Sequence, residues 1–216
     1  MRLGFDIDGV LAQVFPAMAR AFVEVTGRDA FLPDDLPEPT KYNIHLARGY
    51  TMEEGRRVWD TVAQSDEWWF NLPAFPEVYG LSMHFDDLCD DHEVYFITAR
   101  RGRQVKAQTE GWLSYNLAIL RPTVLIVGHH EKGNVAKALS LDAYIEDNLD
   151  NAVDVIRRSP ITRTFLVNRR YNQSLDSVWN DMTEWGIPER VRRSRVNSVR
   201  EMLHRLNLIP YTDGVR

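Results

Sequence analysis

The chain has 216 residues, 44% of them hydrophobic and 26% charged, with a net charge of −5. Those values exclude a disordered or collagen-like chain, and the acidic balance argues against a general affinity for nucleic-acid polymers, which depends on cations that neutralise phosphates. A single cysteine, Cys89, leaves no intramolecular disulfide and suits a reducing compartment.

No run approaches the roughly 20 apolar residues of a membrane span. The opening Met1-Arg2-Leu3-Gly4-Phe5-Asp6 carries charge where a signal peptide needs an apolar stretch. A cytoplasmic protein without membrane association is expected.

The first strand is Leu3-Gly4-Phe5, which runs into Asp6. Phe15, Met18, Phe22 and Val25 then recur at helical spacing. The stretch from Leu32 to Pro39 holds Pro33, Pro37 and Pro39, which rule out regular helix or central strand there. Thr51 and Glu54 form a capping box ahead of Val58, Trp59 and Val62. Val78, Leu81, Phe85 and Leu88 share one face of a helix.

Four more short apolar runs follow, at 93–97, 123–127, 143–145 and 164–167. Leu149, Ala152, Val153 and Ile156 form a helical face between the last two. Ser198 and Glu201 form a second capping box, opening a last helix with Val199, Met202, Leu203 and Leu206.

Short runs apolar on both faces are buried parallel strands, and their alternation with helices implies a doubly wound α/β domain. About 80 residues separate the first strand from the second, far more than a simple crossover needs. Residues 13–76 therefore read as a mostly helical cap over the strand ends. Residues 1–12 and 77–216 read as the core.

Open α/β sheets bind ligands beyond the carboxyl ends of their strands. The segments there are Asp6-Ile7-Asp8-Gly9-Val10, Thr98-Ala99-Arg100-Arg101-Gly102, His129-His130-Glu131-Lys132-Gly133-Asn134 and Glu146-Asp147-Asn148. Such a set fits phosphoryl transfer. Carboxylate oxygens suit Mg²⁺. One carboxylate can attack phosphorus, and a second acid two residues on can move the proton. A hydroxyl, backbone N–H groups and a lysine can hold the spread negative charge. Val10 and Leu11 follow Gly9 where a calcium loop would continue with ligands.

In order, Asp6-Ile7-Asp8-Gly9-Val10, Thr98, Lys132 and Glu146-Asp147 resemble the four motifs of the haloacid dehalogenase superfamily. The resemblance implies a Rossmann-like core and a Mg²⁺-dependent phosphatase. Asp6 would be nucleophile and metal ligand. Asp8 would be acid/base and would bind metal through its backbone carbonyl. Thr98, the Ala99 N–H and Lys132 would hold the phosphate, and Asp147 would complete the metal site.

A narrower resemblance is to 5′(3′)-deoxyribonucleotidases. It rests on Phe5-Asp6-Ile7-Asp8-Gly9-Val10-Leu11-Ala12, on Trp68-Trp69-Phe70-Asn71-Leu72-Pro73, on Arg170-Tyr171-Asn172 and on Arg195-Val196-Asn197-Ser198. It implies a (deoxy)nucleoside monophosphate as the small phosphorylated partner. Three consecutive aromatics cannot all face one core, so at least one of Trp68, Trp69 and Phe70 is expected to stack on a base. Arg100 or Arg101, next to Thr98, is the expected further substrate contact. Glu146 stands where that family has Asp, and His130 where an arginine is expected.

Other readings stay open: the same chemistry on a sugar phosphate or other small phosphoester, a non-catalytic phospho-ligand-binding module, or a receiver domain. Homodimerisation is open as well. Cys89, flanked by acids, reads as a structural thiol. His129 and His130 lack companion ligands at metal spacing. The basic run at 190–195 reads as an exposed face.

Overall fold

β1 (Arg2–Phe5) is buried from Leu3 onward because it lies inside a sheet covered on both sides. The computed structural model describes residues 1–128, 130–173 and 193–210. The further strands are β2 (Glu93–Thr98), β3 (Thr123–Ile126), β4 (Ala143–Glu146), β5 (Arg163–Val167) and β6 (Arg195–Val196). All pair in parallel, in the order β3–β2–β1–β4–β5–β6.

The chain adds strands to one side of β1, then crosses back and adds the rest to the other. The order therefore reverses between β1 and β4, and ligand crevices of such sheets open at that point. Phe5 is in register with Ile145, and the Asp6 N–H donates to the Ile145 carbonyl at 3.0 Å. Asp6 thus leaves the sheet beside Glu146 and Asp147.

The helices are α1 (Val14–Thr26), α2 (Ile44–Ala47), α3 (Met52–Gln64), α4 (Pro76–Tyr79), α5 (Ser82–Asp91), α6 (Val105–Leu117), α7 (Lys132–Ala138), α8 (Leu149–Arg158), α9 (Arg170–Gln173) and α10 (Val199–Arg205). Neighbouring strand residues point to opposite faces, and the core divides accordingly. Phe5 and Phe96 pack with Phe85 of α5, Trp112 of α6 and Met202 of α10. Ile97 and Tyr144 pack on the other side with Ala136 of α7 and Val155 of α8. Among the described residues no helix is long and apolar enough to cross a membrane.

α1 to α5 all lie between β1 and β2 in the chain, and α1, α2 and α3 fall in the segment inserted between Gln13 and Pro73. α1 ends at Gly27, whose φ of 69° lets its N–H turn back to the Val23 carbonyl. α3 opens on the Thr51–Glu54 box: Thr51 Oγ1 accepts from the Glu54 N–H at 3.1 Å, and Glu54 accepts from the Thr51 N–H at 2.6 Å. Ser198 caps α10 by accepting from the Glu201 N–H. Where the chain leaves the sheet and returns, the two segments pair. The Gln13 N–H donates to the Pro73 carbonyl at 2.7 Å and the Phe75 N–H to the Leu11 carbonyl at 2.9 Å.

Two expectations are corrected. Val78, Leu81, Phe85 and Leu88 are all buried, but not on one helix. Gly80 and Leu81 interrupt it, and the Leu81 N–H bonds to the Val78 carbonyl, three residues back, before α5 resumes. Arg195 is the other: it belongs to β6, half-buried, and donates to Asn168 Oδ1 at 2.9 Å and to the Asn172 carbonyl at 3.1 Å. Val196, fully buried in the core, draws it in. Residues 190–192 of that basic run, and His129, lie outside the described residues.

Candidate active site

Asp6 is 4% exposed at the carboxyl end of β1. Its Oδ1 accepts from the Ile7 N–H at 2.8 Å and lies 2.8 Å from Lys132 Nζ. Lys132 opens α7 and donates equally to Glu146 Oε2, also at 2.8 Å. Glu146 ends β4 and is fully buried. The Tyr144 hydroxyl donates to the same oxygen at 3.0 Å, and the Asn148 N–H donates to Oε1 at 3.0 Å. Glu146 thus spends its oxygens on Lys132 and on the turn into α8.

Asp147 is 4% exposed. The Tyr171 hydroxyl donates to its Oδ2, and the Asn172 amide donates to its carbonyl at 2.8 Å. Oxygen atoms of Asp6, Glu146 and Asp147 lie within 4.8 Å of one another. Three buried carboxylates meet one ammonium, so full ionisation leaves uncompensated negative charge among buried groups.

The proton affinities follow from that crowding. Burial, then Glu146, pushes Asp6 well above the ordinary carboxylate range. Burial, then Glu146, raises Asp147 to about 8. Burial also works to raise Glu146, but Lys132 and its hydrogen bonds outweigh it and hold the group at about 2. Lys132 rises well above its usual value: burial opposes this, and Asp6 and Glu146 overcome it. Hard oxygen ligands, close together and short of positive charge, fit a divalent cation. This cluster can hold a metal ion.

Asp8 turns the other way. Arg100 Nε donates to both its oxygens, at 3.1 and 3.0 Å, and Nη2 donates to Oδ1 at 2.8 Å. The third nitrogen donates to Thr109 Oγ1 at 3.1 Å. The guanidinium lies 4.9 Å over the Trp69 ring and 6.0 Å from Trp112. Every nitrogen of Arg100, expected as a substrate contact, is engaged within the protein. Thr98 is 1% exposed, and its Oγ1 accepts from the Arg100 N–H at 3.3 Å.

A cavity of about 320 Å³ opens over these groups. Asp6, Asp8, Thr98, Ala99, Lys132 and Asp147 line its floor. Phe15, Phe22, Phe31, Tyr42 and Trp59 from the inserted segment make an aromatic wall with Trp69. Of the three consecutive aromatics only Trp69 lines the cavity. Trp68 packs edge-on against Trp69, and Phe70 lies 41% exposed beside Tyr115.

Sequence reasoning assigned no role to Arg169, Tyr171 or Glu38. Arg169 follows the carboxyl end of β5, so the rule that picked out the other segments would have found it. The signal for Glu38 does not exist at short range, because its partner is 131 residues away.

No family model matches the chain. The fold is shared with a candidate phosphoglycolate phosphatase from Lactobacillus plantarum, 15% identical, with 96% of this chain and 98% of that one covered at a TM-score of 0.55. A hydrolase from Pseudomonas syringae also shares it, at 15% identity, 97% and 99% coverage and a TM-score of 0.55. At these identities the likeness is one of fold. In sequence it is similar to the candidate nucleotidase YqfW of Bacillus subtilis, 26% identical over 205 residues, which span 92% of this chain and all of that protein.

Proposed function

We propose that the chain is a magnesium-dependent phosphomonoesterase that hydrolyses nucleoside monophosphates through phosphorylation of Asp6. The observation that carries this reading is the Asp6 carboxylate, bonded to Lys132 beside Asp147 at the floor of an aromatic-walled cavity. The similarity to a nucleotidase-named protein supports the nucleotide. Residues 13–76 act as a cap, over a core of 1–12 and 77–216.

An Asp6 oxygen attacks phosphorus, and the bond from phosphorus to the ester oxygen breaks. Asp8 gives its proton to the departing alcohol. Water then loses a proton to Asp8, attacks the phosphoryl group, and frees phosphate and Asp6. For that transfer the Asp8 carboxyl has to leave the Arg100 fork, which holds both its oxygens. Thr98, the Ala99 N–H and Lys132 bind the phosphoryl oxygens. Mg²⁺, held by Asp6, Asp147 and the Asp8 carbonyl, would draw charge from the transferring group. Aromatic rings on one wall give a base a surface to stack on.

The test is phosphate release from nucleoside monophosphates, sugar phosphates and phosphoglycolate, with Mg²⁺ or EDTA, for wild type and Asp6→Asn. Mg²⁺-dependent turnover of nucleotides, lost in the variant, is expected. Turnover of the other esters alone would discard the substrate and keep the chemistry. Undiminished turnover by Asp6→Asn would discard the nucleophile.

A further inference from the structure

We propose that Arg169 is a positioning residue that fixes the Asp6–Val10 loop and ties its placement to the inserted loop at Glu38; this rests on the reading of Asp6 as nucleophile. Its side chain is 5% exposed. Nε donates to the Gly9 carbonyl at 2.6 Å and Nη2 to the Val10 carbonyl at 3.3 Å. On its other edge Nη1 donates to Glu38 Oε1 at 3.1 Å, and Nη2 lies 3.4 Å from Glu77 Oε1. The guanidinium carbon sits 3.6 Å from the centroid of the Phe75 ring.

One planar group therefore touches three places: the loop that follows β1, a loop inside the inserted segment, and the point of return. Its neighbour strengthens the second contact. Arg170 Nη1 donates to the Asp34 carbonyl at 2.6 Å and to the Glu38 carbonyl at 3.1 Å.

The loop closes on itself through the Ile7 carbonyl, which accepts from the Val10, Leu11 and Ala12 N–H groups, and Arg169 adds a hold from outside. Gly9 has no side chain and a φ of 81°, so its carbonyl is what can be gripped. A guanidinium offers donors in a fixed fork, whereas a lysine in the same place is a point charge and reaches one acceptor well. Burying an arginine between two glutamates is costly unless the geometry is specific. Here it joins carboxylates on one edge to carbonyls on the other, so a shift at Glu38 is felt at Gly9 and Val10, next to Asp8.

The experiment uses the full chain, with Arg169→Lys and Glu38→Gln. Hydrogen–deuterium exchange is followed in peptides covering 6–12 and 33–40, and kcat and KM are measured with nucleoside monophosphates and p-nitrophenyl phosphate. Glu38→Gln should speed exchange in 6–12 as well as 33–40, although the substituted residue lies only in the second. Arg169→Lys should lower kcat about tenfold or more for both esters, as small misplacements of reacting groups do. KM for the small ester should stay within about twofold. Unchanged exchange in 6–12 for Glu38→Gln overturns the coupling, and unchanged kcat in Arg169→Lys overturns the positioning role. If wild type releases phosphate from no ester, the nucleophile reading has failed, and the exchange result still decides the coupling.

Discussion

A Cβ on Gly9 would stand 2.2 Å from Oδ2 of Asp147 and 2.6 Å from the Tyr171 hydroxyl. Asp147 occupies the space a side chain at position 9 would take. The glycine is thus a condition for the acidic cluster to close up, besides permitting the turn. Gly9→Ala adds about 1–2 kcal/mol of left-handed backbone strain and must also displace Asp147 or Tyr171. Denaturant unfolding should show the loss, and phosphate release should fall further than stability alone explains. A variant as stable and active as wild type would contradict this packing.

The acidic cluster sets a pH dependence whose sign can be worked out. Asp147 is raised to about 8, from an ordinary value of 3.8, by burial and by Glu146. A carboxyl that holds its proton more tightly in the folded chain costs stability once it ionises. That cost is absent below the unfolded value and grows as pH rises toward the folded one. Asp6 moves the same way. Glu146, lowered to about 2 from 4.5, contributes stability that is already complete above its unfolded value. Protein treated with chelator should therefore lose stability from about pH 5 to pH 8, each kcal/mol appearing as roughly 2–4 °C in Tm. Mg²⁺ should raise Tm more at the alkaline end, because it competes with protons for the same oxygens. A Mg²⁺ shift that does not grow with pH would place the ion elsewhere.

Much of this was legible because strand and site obey one rule. Asp6, Thr98 and Glu146 follow or end short apolar runs, and a doubly wound sheet puts such residues in one crevice. β6 was not legible: two residues carry no period, and the basic run hid Val196. Arg100, picked out by its adjacency to Thr98, lines the cavity, but the pairing of its fork with Asp8 spans 92 residues and no local pattern records it. The same holds for the bidentate Arg48–Asp35 pair inside the inserted segment, and for Phe15 and Tyr42, which pack on Tyr171 from that segment. Periodicity placed α1 and α3 on their own. It did not say which of their faces would meet the crevice.

Asp8 works in both proposed steps, and the leaving group separates them. With nucleoside monophosphates, Asp8→Asn should lower kcat by about 10²–10⁴, the usual worth of a placed acid or base. p-Nitrophenolate leaves without a proton, so phosphorylation of Asp6 should survive in this variant while hydrolysis of the intermediate stays slow. Rapid mixing should then show a burst of one p-nitrophenol per chain, with radiolabelled phosphate retained on the protein. Asn keeps the side chain's shape beside Arg100, so a simple loss of folding is not expected. Equal slowing of both esters with no burst would move the acid/base role away from Asp8.

The three consecutive aromatics should separate cleanly on substitution. Trp69 is buried, donates from Nε1 to the Arg101 carbonyl at 2.9 Å and lies beneath the Arg100 guanidinium. Trp69→Ala removes cavity wall and the platform under Arg100, a cation–π contact worth about 0.5–2 kcal/mol. Nucleotide KM should rise, and kcat should fall as Arg100 and Asp8 lose their alignment. Phe70 packs on exposed Tyr115, away from the cavity, so Phe70→Ala should stay within about 0.5 kcal/mol of wild type in stability and leave KM alone. Trp68→Ala should loosen Trp69 from the side and give a smaller form of the Trp69 effect. If Phe70→Ala weakens nucleotide binding as much as Trp69→Ala, the base does not lie along the Trp69 wall, and the substrate enters from the α6 side.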